Sequence, residues 1–528
     1  MMRTAKIGRW LLAVVAALLC PPGSVRAADL TLGIAVSTES MDPHYHQLAS
    51  NMAVLSHVFE MLVAQDRDMK LVPGLATSWR VVDPTTWEFK LRPQVKFHDG
   101  SDFTADDVLF SFKRVPLVPN SPSSYATFLR GIASTEVVDP LTIRFHTKGP
   151  YPDIAVDLSL VSILSHVAGA GPAAEGKTTQ QMNAGDGTVG TGPYRFVSFR
   201  PGERVVFARN DAYWGDKEPW QTVTEVVIPS APSRVAALLS GQVDAIEKVL
   251  GEDMVSLRAN PNFSTFAAPS NSVTYLVIDQ YRDQSPGVTS PDGKNPLKDV
   301  RVRKALSLAL NRDALSQQVM SGMSTPAAEL VAPGMFGAMP GVNVEKYDPV
   351  QAKQLLAEAG YGDGFGLKLV TSNGLYVQDA QMAQAIAAMW TRIGVRTTVD
   401  AVPGSMYYAR RAAQELSVFY TSSSMMTGQA TDMLKVLLAT RDAAKGMGQI
   451  NFGGYSNPRV DSLLDEAGHT LDTNVRQHLL EQASHIAIAE DYAALPIHIE
   501  KLGYAVRKPL NYTPRLDKGF TAMQIRGE

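Results

Sequence analysis

The sequence predicts an α/β protein of two lobes or three domains. Three observations carry this. The chain has 528 residues, too many for one hydrophobic core. From about residue 272, apolar runs of strand length alternate with helical periods, the pattern of α/β units around a largely parallel sheet. Before that point, short strands and turn dipeptides dominate. The 45% hydrophobic and 19% charged content is that of a globular chain.

The N-terminus reads as a secretory signal over residues 1–27. Arg3, Lys6 and Arg9 form a positive region, and the apolar run Trp10 to Leu19 is too short to span a bilayer. Val25 and Ala27 place small residues for a cut after Ala27. Cys20 is the only cysteine, and Leu19 before it does not suit a lipoprotein box. The expected product is periplasmic, begins at Ala28 and holds no cysteine, which excludes disulfides, thiolate catalysis and Cys-ligated metal. Residues 1–27 carry four bases and no acid, so the remainder is more acidic than the formal net charge of −3. That argues against a nucleic-acid partner, which would want a basic face.

Asp29 to Val36 reads as a strand leading into the loop STESMDPHYHQ. A helix over Asn51 to Phe59 follows. In the stretch Thr85 to Arg114, Trp87, Phe89 and Leu91 alternate with polar residues as in a half-buried strand. Pro93 ends it, Val95 and Phe97 predict a second short strand, and Asp99-Gly100 a turn. Thr104 then caps a helix, with Asp106 and Asp107 in the first turn where its dipole favours negative charge. A strand pair surrounds Asp139-Pro140, and a hairpin surrounds Pro201-Gly202. A helix is predicted from Asp299 to about Met320, and others end at Gly360 and Gly394. Ser272 to Asp279, Leu367 to Thr371 and Val395 to Val399 read as strands. A long helix covers Asn474 to Asp491, and Ala494 to Val506 is an extended run that returns to the first lobe.

The string TWEFKLRPQVKFHDGSDFTADDVLFSFKR resembles the signature region of the extracytoplasmic solute-binding proteins, family 5, that serve peptide, opine and nickel ABC importers. GTGPY, RNDAYWG, DVRVRKALSLALNRDAL, YDPVQAKQLLAEAGYGDGF and YSNPRVDSLLDEA extend the resemblance over nearly the whole chain after the signal. It implies a two-lobed periplasmic binding protein fold (class II, cluster C) with an extra domain on the first lobe. Carried over, lobe I is 29–46, 186–270 and 497–528, the extra domain 47–185, and lobe II 271–496. It also implies a monomer that captures a small-molecule ligand and docks on ABC permease subunits, with no cofactor and no enzymatic activity. A ligand sensor or chaperone on the same fold, and a nickel-chelate binder, are the alternatives.

Other motifs weaken on inspection. Gly171 to Thr178 matches GxxxxGK[ST], but Pro172 stiffens the loop and an exported chain meets no ATP, so a surface loop is the better reading. His44, His46 and His57 lie close together, yet loop polarity explains them without metal. His98 reads as structural. Neither HExxH nor GxSxG occurs.

The resemblance places the cleft at Glu415 to Leu434. Peptide-binding members carry a Gly-Trp pair there and then an aspartate for the peptide ammonium; here those positions hold Ser422-Ser423 and Met426. Where many relatives have an arginine before a tyrosine, this chain has Leu375 before Tyr376. The expected ligand contacts are Tyr45 and His46 from the first-strand loop, Tyr376, Met406, Tyr407, Ser423, Ser424, Met425 and Met426 from the second lobe, and His498 from the returning strand. The expected ligand is peptide-like, glutathione-like or opine-like, and not a simple free dipeptide.

Overall fold

Two long strands organise the molecule. The computed structural model describes residues 29–527, with Asp432 described by its backbone only. Strand Phe263–Ile278 runs antiparallel to strand Ala494–Arg507, from the pair Phe263↔Arg507 to Val277↔Ala494. Their register breaks between Pro269 and Val273. The break follows from sequence: Pro269 has no N–H for the ladder, and Ser270, Asn271 and Ser272 turn their polar groups elsewhere.

On one side of the break the pair joins Ala245–Glu247, then Leu30–Ile34, Thr222–Val227, Arg204–Arg209 and Tyr194–Arg200. On the other it joins Val418–Ser424, Phe365–Ser372 and, at the edges, Val395–Val402 and Val288–Thr289. One twelve-stranded sheet therefore passes through both halves. It is mixed, which corrects the expected largely parallel sheet. Parallel pairing is confined to strands joined by helical crossovers or long excursions, such as Phe365–Ser372 with Val395–Val402. The crossing strands and the hairpin over residues 194–209 run antiparallel.

Strand alternation sorts the core of the second half. Tyr275 and Val277 pack with Phe419 and Leu434 on one face. Leu276 and Ile278 pack with Leu369 and Trp390 on the other. In the first half, Leu30, Leu32, Tyr504 and Val506 form one core.

The signature stretch builds a separate four-stranded antiparallel sheet, in the order Ala76–Asp83, Thr86–Leu91, Thr142–Thr147, Ile132–Asp139. Phe89, Phe145 and Phe112 pack at its centre. Helix Ala105–Arg114 begins where expected, with Asp107 accepting from the Thr104 N–H at 2.8 Å. The second short strand expected at Val95 and Phe97 is only one bridge, Lys96↔Asp102, because the Gly100 turn brings the chain back at once. The helix expected from Asp299 to Met320 stops at Leu308; Asn311 caps a new turn by accepting from the Ala314 N–H at 2.9 Å.

The FHDG and GTGPY strings meet in space. His98 of the FHDG turn lies 2.9 Å from the Gly192 carbonyl through Nε2, and its N–H donates to Gly190. Gly190 must be glycine, since a Cβ there would sit 1.9 Å from the Val58 carbonyl oxygen. His98 is thus structural. The Gly171 to Thr178 loop follows no strand and is held from behind by Arg114, which donates to the Glu175 and Lys177 carbonyls. His44 faces Arg114 and the Ser162 carbonyl, and His57 is walled in by Phe207 and Tyr194. Burial holds both imidazoles down at about 4. The expected signal segment lies outside the described residues. Among those residues no helix is long and apolar enough to cross a membrane.

Candidate ligand-binding cleft

Two chambers open where the crossing strands break register. The larger, about 470 Å³, is lined by Tyr376, Tyr420, Ser422, His498, Glu500 and Lys501, among others. The smaller, about 310 Å³, is lined by Met52, Met61, Asn271, Met426, Asp517 and Thr521, among others. Ser424 and Lys518 line both. Their walls come from both halves of the sheet and from the signature-bearing domain.

Strand Val418–Ser424 supplies alternate side chains to the larger chamber: Tyr420, Ser422 and Ser424. Ser423 faces away, 2.9 Å from the Tyr275 hydroxyl. The Tyr420 hydroxyl reaches Nε2 of His498 at 3.1 Å. His498 is buried with Nδ1 unpartnered, and burial lowers its pKa to about 4, so the ring is neutral near pH 7.

Tyr376 is positioned by a buried carboxylate. Asp379 accepts from the Gly374, Leu375 and Tyr376 N–H groups at 3.0, 3.1 and 3.3 Å and from the Ser372 hydroxyl at 2.7 Å. That turn sets the Tyr376 ring edge-on to Tyr420, with centroids 6.3 Å apart. Leu375 lines the larger chamber beside it.

Asn271 sits in the register break. Its Nδ2 donates to the Met425 carbonyl at 2.9 Å, while its Oδ1 is buried without a partner. The turn Arg515 to Gly519 faces it. Arg515 grips Asp517 and also donates to the Gln65 and Asp66 carbonyls at 3.0 Å each. Lys518 follows in the left-handed region, with φ 67°. Its ammonium donates to Ser424 Oγ at 2.8 Å and to Ser272 Oγ.

The halves also touch directly. Gln65 donates to the Thr427 carbonyl at 3.1 Å, Arg476 pairs with Asp153, and Met69 packs against Gly428.

Of the expected ligand contacts, Tyr376, Ser424, Met426 and His498 line the chambers. The others do not. Ser423 is sent to the opposite face by strand alternation. Tyr407 is fully buried and donates to the Tyr420 carbonyl. Met425 turns into the core beside Leu434. Met406, 49% exposed, stands on the outside of helix Gly404–Ala412. Tyr45 and His46 lie against residues 121–125, and His46 pairs with Glu39 at 2.6 Å. Asn271, Glu500, Lys518 and Thr521 also line the chambers and are not among the expected contacts. The only signal for Asn271 was its place at the start of a predicted strand; the turn Arg515 to Gly519 matches no motif.

The model of the bacterial extracellular solute-binding proteins, family 5, matches residues 70–445. The chain is 30% identical to the glutathione-binding protein GsiB of Salmonella paratyphi A, covering 97% of each chain. It is 31% identical to that of Pectobacterium atrosepticum, covering 90% of each. The structure of HbpA2 from Haemophilus parasuis superposes with a TM-score of 0.80 at 23% identity, over 95% of this chain and 100% of that one. The two-lobed fold is that of the family 5 binding proteins, whose members serve ABC importers. This chain belongs to the bacterial extracellular solute-binding proteins, family 5.

Proposed function

We propose that this protein captures a peptide-like or glutathione-like solute in the periplasm and delivers it to an ABC permease. The observation that carries the reading is the pair of chambers at the register break, walled by both halves. A solute held there contacts both halves only when they are together, so its binding energy favours that arrangement. The full-length likeness to glutathione-binding proteins supports the ligand class. In this reading the lobes are 29–46 with 186–270 and 497–528, and 271–496, with 47–185 as an added domain. The protein acts as a monomer without catalysis.

The chamber chemistry argues against simple free dipeptides. Met426 and Leu375 stand where ionic anchors would be needed, and Asp517 is engaged by Arg515. Ser422, Asn271 and His498 add neutral donors and acceptors beside the charged Glu500 and Lys518. Calorimetry against glutathione, opines and a dipeptide panel tests this. Binding of glutathione or a tripeptide well above that of dipeptides is expected; uniform sub-micromolar dipeptide binding would contradict it.

A further inference from the structure

We propose that Lys518 is the anion receptor of the cleft: the captured solute carries a carboxylate that sits on the Lys518 ammonium, in the neck between the two chambers. This rests on the proposed function and names the chemistry of its ligand.

The geometry is specific. An ammonium has three N–H donors and no acceptor. Two are taken by the Ser424 and Ser272 hydroxyls, which are themselves 2.6 Å apart. One donor remains. Among the described residues no carboxylate forms an ion pair with Nζ; Glu500 and Lys248, both lining the larger chamber, act on it through their fields with opposite signs. Arg515 and Asp517, the other charges of the turn, neutralise each other. Lys518 is therefore a half-buried positive charge at the neck whose hydrogen bonds go to hydroxyls and not to a carboxylate. A ligand seated over the neck would exclude its remaining water, and an anion on that ligand would supply the direct counter-charge.

The support for this seat is built in. Arg515 ties the turn to residues 65 and 66, across from the crossing strand. Lys518 adopts a left-handed backbone, φ 67°, that side chains other than glycine seldom take. The turn thereby carries its side chain into a place bounded by Ser272 of the crossing strand and Ser424 of the second half. A carboxylate there would bind Nζ and have both serine hydroxyls within reach, charge-assisted and partly dry. The unpartnered Asn271 Oδ1 is available to a donor on the same ligand, in the smaller chamber.

The test is calorimetry on the full mature protein with glutathione and with its diamide, in which both carboxylates are neutral. Wild type should bind glutathione at least about tenfold more tightly than the diamide. K518M should lose about that factor for glutathione and bind the diamide within roughly threefold of wild type. Lys518→Arg, which keeps the charge, should lose less than K518M. Lys518→Gln, which keeps a donor and removes the charge, should also lose the preference for the acid, and it serves should K518M fail to fold. Equal loss of acid and diamide in K518M would show that the ammonium only links Ser272 to Ser424, and would overturn the receptor while leaving the proposed function standing. Unchanged glutathione binding in K518M would do the same. Failure of wild type to bind glutathione or any small peptide acid would overturn both.

Discussion

Arg114 and Asp42, far apart in sequence, form a two-pronged buried ion pair, with Nη1–Oδ1 and Nη2–Oδ2 both at 2.8 Å. Arg114 closes the signature stretch, and Asp42 lies in the loop after the first strand. The pair fixes the loop after strand Leu30–Ile34 to the end of helix Ala105–Arg114. Breaking one side leaves the other charge buried and unpaired, so Asp42→Asn should cost about 3–5 kcal/mol in denaturant unfolding. Burial pushes Asp42 up, but the Arg114 hydrogen bond and charge outweigh it and hold the carboxyl below its ordinary 3.8. Its contribution is therefore full above pH about 4 and is lost as pH falls through the lowered folded value. An acid-melting curve of wild type against Asp42→Asn should converge in that range.

Glu225 predicts the opposite slope. Both its oxygens are buried without a partner, and burial, with Glu247 adding, raises it from 4.5 to about 8. His57 lies 3.8 Å away, but burial keeps that ring neutral near pH 7, so the contact is not an ion pair. A raised carboxyl favours the fold below its unfolded value and loses that contribution as pH rises through about 8. Glu225→Gln should therefore flatten the fall in melting temperature between about pH 4.5 and pH 8, the unfolded and folded values. An unchanged slope across that window would contradict it.

Asp379→Ala should loosen the turn that carries Leu375 and Tyr376. Four backbone N–H groups and the Ser372 hydroxyl lose their acceptor, a cost of about 1–3 kcal/mol where they stay buried. Ligand affinity should fall along with stability, because Tyr376 forms one wall of the larger chamber. Calorimetry and thermal unfolding on the same variant check both.

Met426→Asp should gain affinity for free dipeptides. Met426 lines the smaller chamber beside Asn271, and a carboxylate there could meet a peptide ammonium. A charge-assisted hydrogen bond is worth roughly 1.5–3 kcal/mol, so a gain of about tenfold or more is expected over wild type. No gain across a dipeptide panel would place the ammonium elsewhere.

Much of this molecule was legible because local pattern dictated it. The alternation of Trp87, Phe89 and Leu91 and the cap at Thr104 specify strand and helix without help from distant residues. The same alternation explains why Ser424 was well placed and Ser423 was not: neighbours on a strand face opposite ways. Tyr407 and Met425 pack in the core, and nothing local distinguishes an aromatic or a methionine that fills a core from one that lines a cleft. Lys518 was invisible for a different reason. Its partners, Ser272 and Ser424, belong to distant segments, and only the assembled sheet brings them to one point.

The central claim is that the chambers at the register break capture a solute. Native mass spectrometry of the protein purified from its own host tests it most directly, because a ligand held between two lobes often survives gentle purification. The account predicts a bound mass matching a peptide-like acid, released on collisional activation, and at lower occupancy in K518M. A protein that carries no ligand from its host, and gains none from glutathione or small peptide acids, would contradict it.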